Sequence, residues 1–194
     1  TPPGCNPDYH VPNIMRFDPA EARRLLAEAG FPEGKGFPPF DILINTSESH
    51  RALAEAVQAM WKEHLHIPAG VLNQDWGVYI ESQRKLDYQI ARFGWVGDYL
   101  DPSTFLAIWQ TGDGNNNTGW SNKRYDELIH QSFQEGDVAK RLQILNEAET
   151  LMLNEAPMLP VYWYTHSYLM RPEVKGLLPS LLQHRCYKAV ELRP

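Results

Sequence analysis

FDILINTSESHRALAEAVQAMWKEHL, residues 40–65, decides the fold class. Phe40 to Ile44 carry the apolar alternation of a strand, and Asn45-Thr46-Ser47 ends it with side chains able to cap the next segment. Leu53, Val57, Met60, Trp61 and Leu65 then recur at helical spacing, which marks one apolar face. A strand running into an amphipathic helix opens a βαβ unit. Downstream, Val71-Leu72 continues as a second strand. Asp75 to about Gln83 forms a short helix with Trp76, Tyr79 and Ile80 on one side, and Tyr88 to Phe93 is a further strand. The order β-α-β-α-β predicts an α/β fold, a mixed sheet flanked by helices and joined by right-handed crossovers.

Upstream, Asp18-Pro19-Ala20-Glu21 places a capping Asp, a Pro at the first helical position and a Glu three residues after the cap. Ala22, Leu25, Leu26 and Ala29 follow with Gly30 at the stop, so a helix is expected there. Before it, Pro2, Pro3, Gly4, Pro7 and Pro12 make residues 1–17 an irregular lead-in. On the C-terminal side, residues 94–120 form a long Gly- and Asn-rich stretch, and loops of that length are more often functional than idle. Helices are expected at about 123–134 and 138–154, strands at 159–164 and 167–170, and one more at 187–192.

A hydrophobic share of 43% and a charged share of 22% are those of a folded globular chain and exclude disorder. The net charge of -6, with Lys and Arg scattered, gives no footprint for nucleic acid. No apolar run of about 20 residues is present, so no direct membrane insertion is expected. Cys5 and Cys186 lie near opposite ends without metal-ligand spacing; they pair if the termini meet and are otherwise two thiols. Six Trp and nine Tyr suit a core, and equally a pocket that grips an extended ligand.

Several stretches, in order, carry a resemblance: FDPAEARRLLAEAGF, INTSESHRALAEAVQAMW, LNQDWGVYIESQRKLDYQIARFGWVGDYLDP, the asparagines before Tyr125, and LNEAPMLPVYWY. Together they resemble the peptide-binding proteins of the oligopeptide and dipeptide ABC importers, the extracytoplasmic solute-binding proteins of family 5. The resemblance implies the second lobe of a periplasmic-binding-protein-like (type II) bilobal fold. On that reading residues 1–17 are a linker from an N-terminal lobe, 18–170 the C-terminal ligand-binding lobe, and 171–194 a segment returning toward the first lobe. It also implies a peptide ligand, ABC permease subunits as partners of the full-length protein, a periplasmic or cell-surface location, no cofactor and no enzymatic activity.

The same resemblance assigns candidate binding residues. Asp98, in GWVGDY, matches an aspartate that pairs with the amino group of the bound peptide. A carboxylate in a closing cleft is costly unless a cation arrives, which favours a ligand with a positive terminus. Trp95 and Trp76 fall where the family places aromatic walls. His50 and Arg92 match positions near the peptide's carboxylate end, His50 in the first helical turn after a strand, where open α/β sheets place ligands. One further arginine of that group is Gln83 here, with Arg84 beside it, and Val96 stands where some members carry cysteine.

Three alternatives stand beside this reading. The same fold carries nickel chelates, haem, oligosaccharides or opines. A hydrolase would need a nucleophile or metal motif, and no GxSxG, HExxH or Walker loop occurs. His64-Leu65-His66 places two histidines on different sides of a helix, which makes a poor metal pair. An interaction module is supported only by the sequon Asn116-Asn117-Thr118.

Overall fold

The structure, a computed structural model, describes residues 1–165, 167–177, 182 and 186–193. It divides into two compact units. An α/β unit comprises residues 15–94 with 117–119, and a helical unit comprises 1–14, 95–116 and 120–194.

In the α/β unit, helix α1 (Pro19–Glu28) starts where its cap was expected: the Asp18 carboxylate accepts the Glu21 N–H at 3.0 Å. Then come β1 (Phe40–Asn45), α2 (Glu48–Leu65), β2 (Ala69–Gln74), α3 (Trp76–Arg84) and β3 (Ile90–Ala91). The strands form a parallel sheet in the order β2-β1-β3, with Phe40 opposite Ala69, Asn45 opposite Gln74, and Ile42 opposite Ile90. The expected α/β class therefore holds, with this sheet wholly parallel. Its central strand is buried without interruption from Ile42 to Asn45, as a parallel strand covered on both faces must be. Ile42 and Ile44 pack with Ala54, Val57, Trp61, Ala69 and Val71, while Leu43 is buried on the strand's other face. Each such side chain taken from water contributes about 1.5–3 kcal/mol.

Helix α2 stops at Leu65 because His66 turns left-handed at φ 56° and its N–H caps onto the Trp61 carbonyl. His64 and His66 therefore do not share one helix. The third strand is shorter than residues 88–93: Ile90 and Ala91 pair, and Arg92 adds one further bond, its N–H to the Leu43 carbonyl at 2.8 Å. Strand length is set by the partner that is found, which residue type does not encode.

In the helical unit, α4 (Ser103–Leu106) runs into a 3₁₀ turn at Ala107–Trp109, and the long helices α5 (Lys123–Gln134) and α6 (Val138–Glu155) follow. Asn122 caps α5 through the Tyr125 N–H and Asp137 caps α6 through the Lys140 N–H, both at 3.0 Å. Leu128 and Ile129 of α5 meet Leu142, Leu145, Ala148 and Met152 of α6, with Leu106 and Trp109 in the same core. The Tyr125 hydroxyl donates to the Leu106 carbonyl at 2.7 Å. Tyr9, from the proline-rich lead-in, is buried in this core and donates to Glu149 at 2.5 Å. Asn116 ties the long loop together, its Nδ2 donating to the carbonyls of Trp109 at 3.0 Å, Gln110 at 3.1 Å and Trp120 at 3.0 Å.

The strands expected at 159–164 and 167–170 do not form among the described residues, and every described residue from Leu159 to Met170 is exposed. Their β-branched and aromatic composition favours a strand, but a strand exists only where another receives its backbone bonds. At the end of the chain β4 (Val174–Lys175) pairs antiparallel with β5 (Glu191–Leu192), and a 3₁₀ turn at Tyr187–Ala189 replaces the start of the last expected strand. Cys5 and Cys186 are free thiols.

Candidate ligand-binding site

Parallel strands deliver their C-terminal ends to one edge, and there the sequence places side chains free of sheet duty. In the α/β unit β1 ends at the buried Asn45, whose Oδ1 lies 2.9 Å from Nδ1 of His50 in the first turn of α2. β3 ends beside Arg92. The Arg92 carbonyl accepts from the Tyr79 hydroxyl and, at 3.4 Å, from Nε2 of Gln83; that same amide donates to the Tyr79 hydroxyl at 3.0 Å. After β2, Trp76, 61% exposed, opens α3 with its ring stacked on Tyr79, centroids 5.7 Å apart and planes 28° from parallel. His50, Arg92 and Trp76 are thus brought to one edge, with Tyr79 bonding one and stacking on another.

Burial, and then the neighbouring Arg92 charge, hold the His50 imidazole below its usual range, so it stands neutral beside a permanent cation. Burial pushes the Tyr79 hydroxyl up, which keeps it a donor to the Arg92 backbone.

Trp95 and Asp98 belong to the helical unit. Trp95 is half-buried against its core and donates its indole N–H to the Thr104 carbonyl at 2.8 Å. The Asp98 backbone N–H donates to the Thr104 hydroxyl at 3.0 Å. Its carboxylate is exposed, and among the described residues it accepts no hydrogen bond and joins no ion pair. The five expected residues therefore fall into two sets, three on the sheet edge and two on one loop.

Sequence reasoning missed Asn45, Tyr79 and Thr104 as supports, and noted Gln83 only as a departure from relatives. Gln83 is 5% exposed and aims inward at Tyr79, so it holds the Arg92 backbone instead of offering a charge. The i, i+4 spacing from Tyr79 to Gln83 was the available signal. Among the described residues no group of three or more His, Cys, Asp or Glu side chains is arranged to hold a metal ion, and no helix is long and apolar enough to cross a membrane.

Residues 1–117 match the family of bacterial extracellular solute-binding proteins, family 5 Middle. The chain belongs to that family. The matched model is one of solute-binding proteins, which favours that class over the hydrolase alternative. The oligopeptide-binding protein OppA of Bacillus subtilis (strain 168) is 38% identical over 171 residues, 88% of this chain and 31% of that protein. The chain therefore spans 31% of that relative's length. A periplasmic oligopeptide-binding protein of Borrelia burgdorferi superposes with a TM-score of 0.83 at 38% identity, covering 95% of this chain and 38% of that one. The OppA of Haemophilus influenzae, solved in complex with RPPGFSPFR, gives a TM-score of 0.76 at 30% identity over 91% of this chain and 35% of that one.

Proposed function

We propose that the protein to which this chain belongs captures peptides outside the cytoplasm, in the periplasm or at the cell surface, and delivers them to the permease subunits of an ABC importer. Residues 18–170 act as the C-terminal ligand-binding lobe, residues 1–17 lead in from an N-terminal lobe, and 171–194 return toward it. Asp98 receives the peptide's amino terminus and Trp95 is an aromatic wall beside it. Trp76 supplies a second aromatic surface, and Arg92 with the neutral His50 stands near the ligand's carboxylate end.

The observation that carries this reading is the Asp98 carboxylate, exposed and unpaired among the described residues on a loop whose backbone is pinned. An unmet anion on a fixed loop selects a cation of fixed position, which a peptide's terminal ammonium supplies. The likeness to oligopeptide-binding relatives supports peptides over chelates or sugars. The test is calorimetry on the full-length protein. Asp98→Asn should keep the fold and weaken free-amine peptides by about 2–5 kcal/mol, the usual cost of breaking one side of a desolvated charge pair. An N-acetylated peptide should lose little. Equal binding of free-amine peptides by mutant and wild type would make Asp98 structural and remove the amine anchor.

A further inference from the structure

One buried residue holds both members of the loop set. We infer that Thr104 is the positioning residue that fixes the Asp98 backbone and the Trp95 ring relative to one another for ligand capture; this rests on the peptide reading above. Thr104 is 3% exposed in the first turn of α4. Its hydroxyl accepts the Asp98 N–H at 3.0 Å and its carbonyl accepts the Trp95 indole N–H at 2.8 Å. Its own N–H donates to the Asp101 carbonyl at 3.2 Å, which sets the residue at the head of the helix.

Between the two pinned residues lies Gly97, and a Cβ there would stand 2.7 Å from Cζ of Phe105 and 2.9 Å from Cγ2 of Thr104. The segment is therefore seated close on α4, and an added side chain would have to displace the end of the Phe105 ring and the Thr104 methyl. Gly97 is not needed for its backbone angles, since its φ is not positive; it is needed for this approach. Thr104 suits the task because a β-branched side chain has few χ1 choices, so its hydroxyl stays where the helix puts it. Thr104 touches the loop and not the ligand: it acts by removing conformational freedom that binding would otherwise have to remove.

The experiment compares, in the full-length protein, the affinity for a free-amine tripeptide with that for its N-acetylated form, in wild type, Thr104→Val, Thr104→Ser, Gly97→Ala and Asp98→Asn. Thr104→Val keeps shape and removes the acceptor, and Gly97→Ala lifts the same segment by steric means. Both should lower the preference for the free amine by roughly three- to tenfold, the scale of one net hydrogen bond. Affinity for the acetylated peptide should hold. Thr104→Ser, which retains the hydroxyl, should restore the preference, and the Asp98 amide should exchange with solvent faster in Thr104→Val but not in Thr104→Ser. If Asp98→Asn abolishes the preference while Thr104→Val and Gly97→Ala keep it, the positioning role is overturned and the amine anchor survives. If Asp98→Asn keeps the preference, the anchor fails and the positioning role falls with it. Should Thr104→Val not fold, an unchanged preference in folded Gly97→Ala overturns the inference on its own.

Discussion

Arg141 grips Asp101 with both arms of its guanidinium, Nη1 to Oδ2 and Nη2 to Oδ1, each at 2.7 Å, and so ties α6 to the loop two residues before α4. The same Oδ1 accepts the Ser103 N–H at 2.9 Å and the Ser103 hydroxyl at 2.6 Å. Burial alone pushes the Asp101 carboxyl up, yet the hydrogen bonds from Arg141 and Ser103 prevail and hold it below its usual range. Because this folded-state value lies below the unfolded value near 3.9, the pair's contribution is complete above about pH 4 and is lost as pH falls through the folded value. Arg141→Met should cost about 1–3 kcal/mol at neutral pH, read from the urea midpoint. The loss should shrink at pH 3 and below, and a loss of equal size at both pH values would show that packing, not charge, sets it.

At the sheet edge the sign is the same but the window differs. The folded His50 value is depressed by burial first and by Arg92 second, below an unfolded value near 6.5. Stability from this group is present above about pH 6.5 and falls as pH drops below it toward the folded value, because the unfolded state then binds the extra proton. By NMR titration, Arg92→Gln should raise the His50 midpoint toward its ordinary range. No upward movement would mean that burial alone sets it.

Two glycines of the α/β unit should respond very differently to alanine. Gly34 has φ +71°, and a Cβ there would meet the backbone carbonyl oxygens of Leu65 at 2.5 Å and His66 at 2.9 Å. Neither can yield without unwinding the end of α2, so Gly34→Ala should cost about 1–3 kcal/mol or more. At Gly70 the nearest obstacle is the side-chain Oδ1 of Asp41, at 1.8 Å, on an exposed residue free to rotate away. Gly70→Ala should fall within about 1 kcal/mol of wild type. Thermal melts of the two variants test the contrast, and similar shifts would contradict it.

For the long loop, Asn116→Asp is the informative change because it keeps shape and replaces a shared donor with a charge facing the carbonyls of Trp109, Gln110 and Trp120. It should destabilise more than Asn116→Ala, by about 1–3 kcal/mol. Denaturant titration of both settles the order, and a milder effect for Asp would show that the loop is held elsewhere.

Local signals were legible in the sequence wherever one residue decides the outcome. Asp18 and Pro19 start α1, and the apolar spacing of Leu142, Leu145, Ala148 and Met152 marks the face that is buried, whereas the caps Asn122 and Asp137 went unread. What failed depends on a partner distant in the chain. Residues 159–164 and 167–170 have strand composition but no strand receives them among the described residues, and β3 narrows to what Leu43 and Ile42 can pair. The candidate site residues were named through the family resemblance, but their supports were not. No periodicity in residues 94–120 says that the Thr104 hydroxyl faces the Asp98 amide. Nor does the proline density of the lead-in reveal that Tyr9 is buried.

Tyr9 and Glu149 are separated by 140 positions. At about 5–20 residues per second of synthesis, Tyr9 exists for roughly 7–28 s before its acceptor is made. Over that interval residues 15–94 of the α/β unit, which hold all three of its strands, can form the sheet from nearby segments, whereas the helical unit cannot be completed. The connectivity thereby lets the sheet form during synthesis while the lead-in still waits for its acceptor on α6.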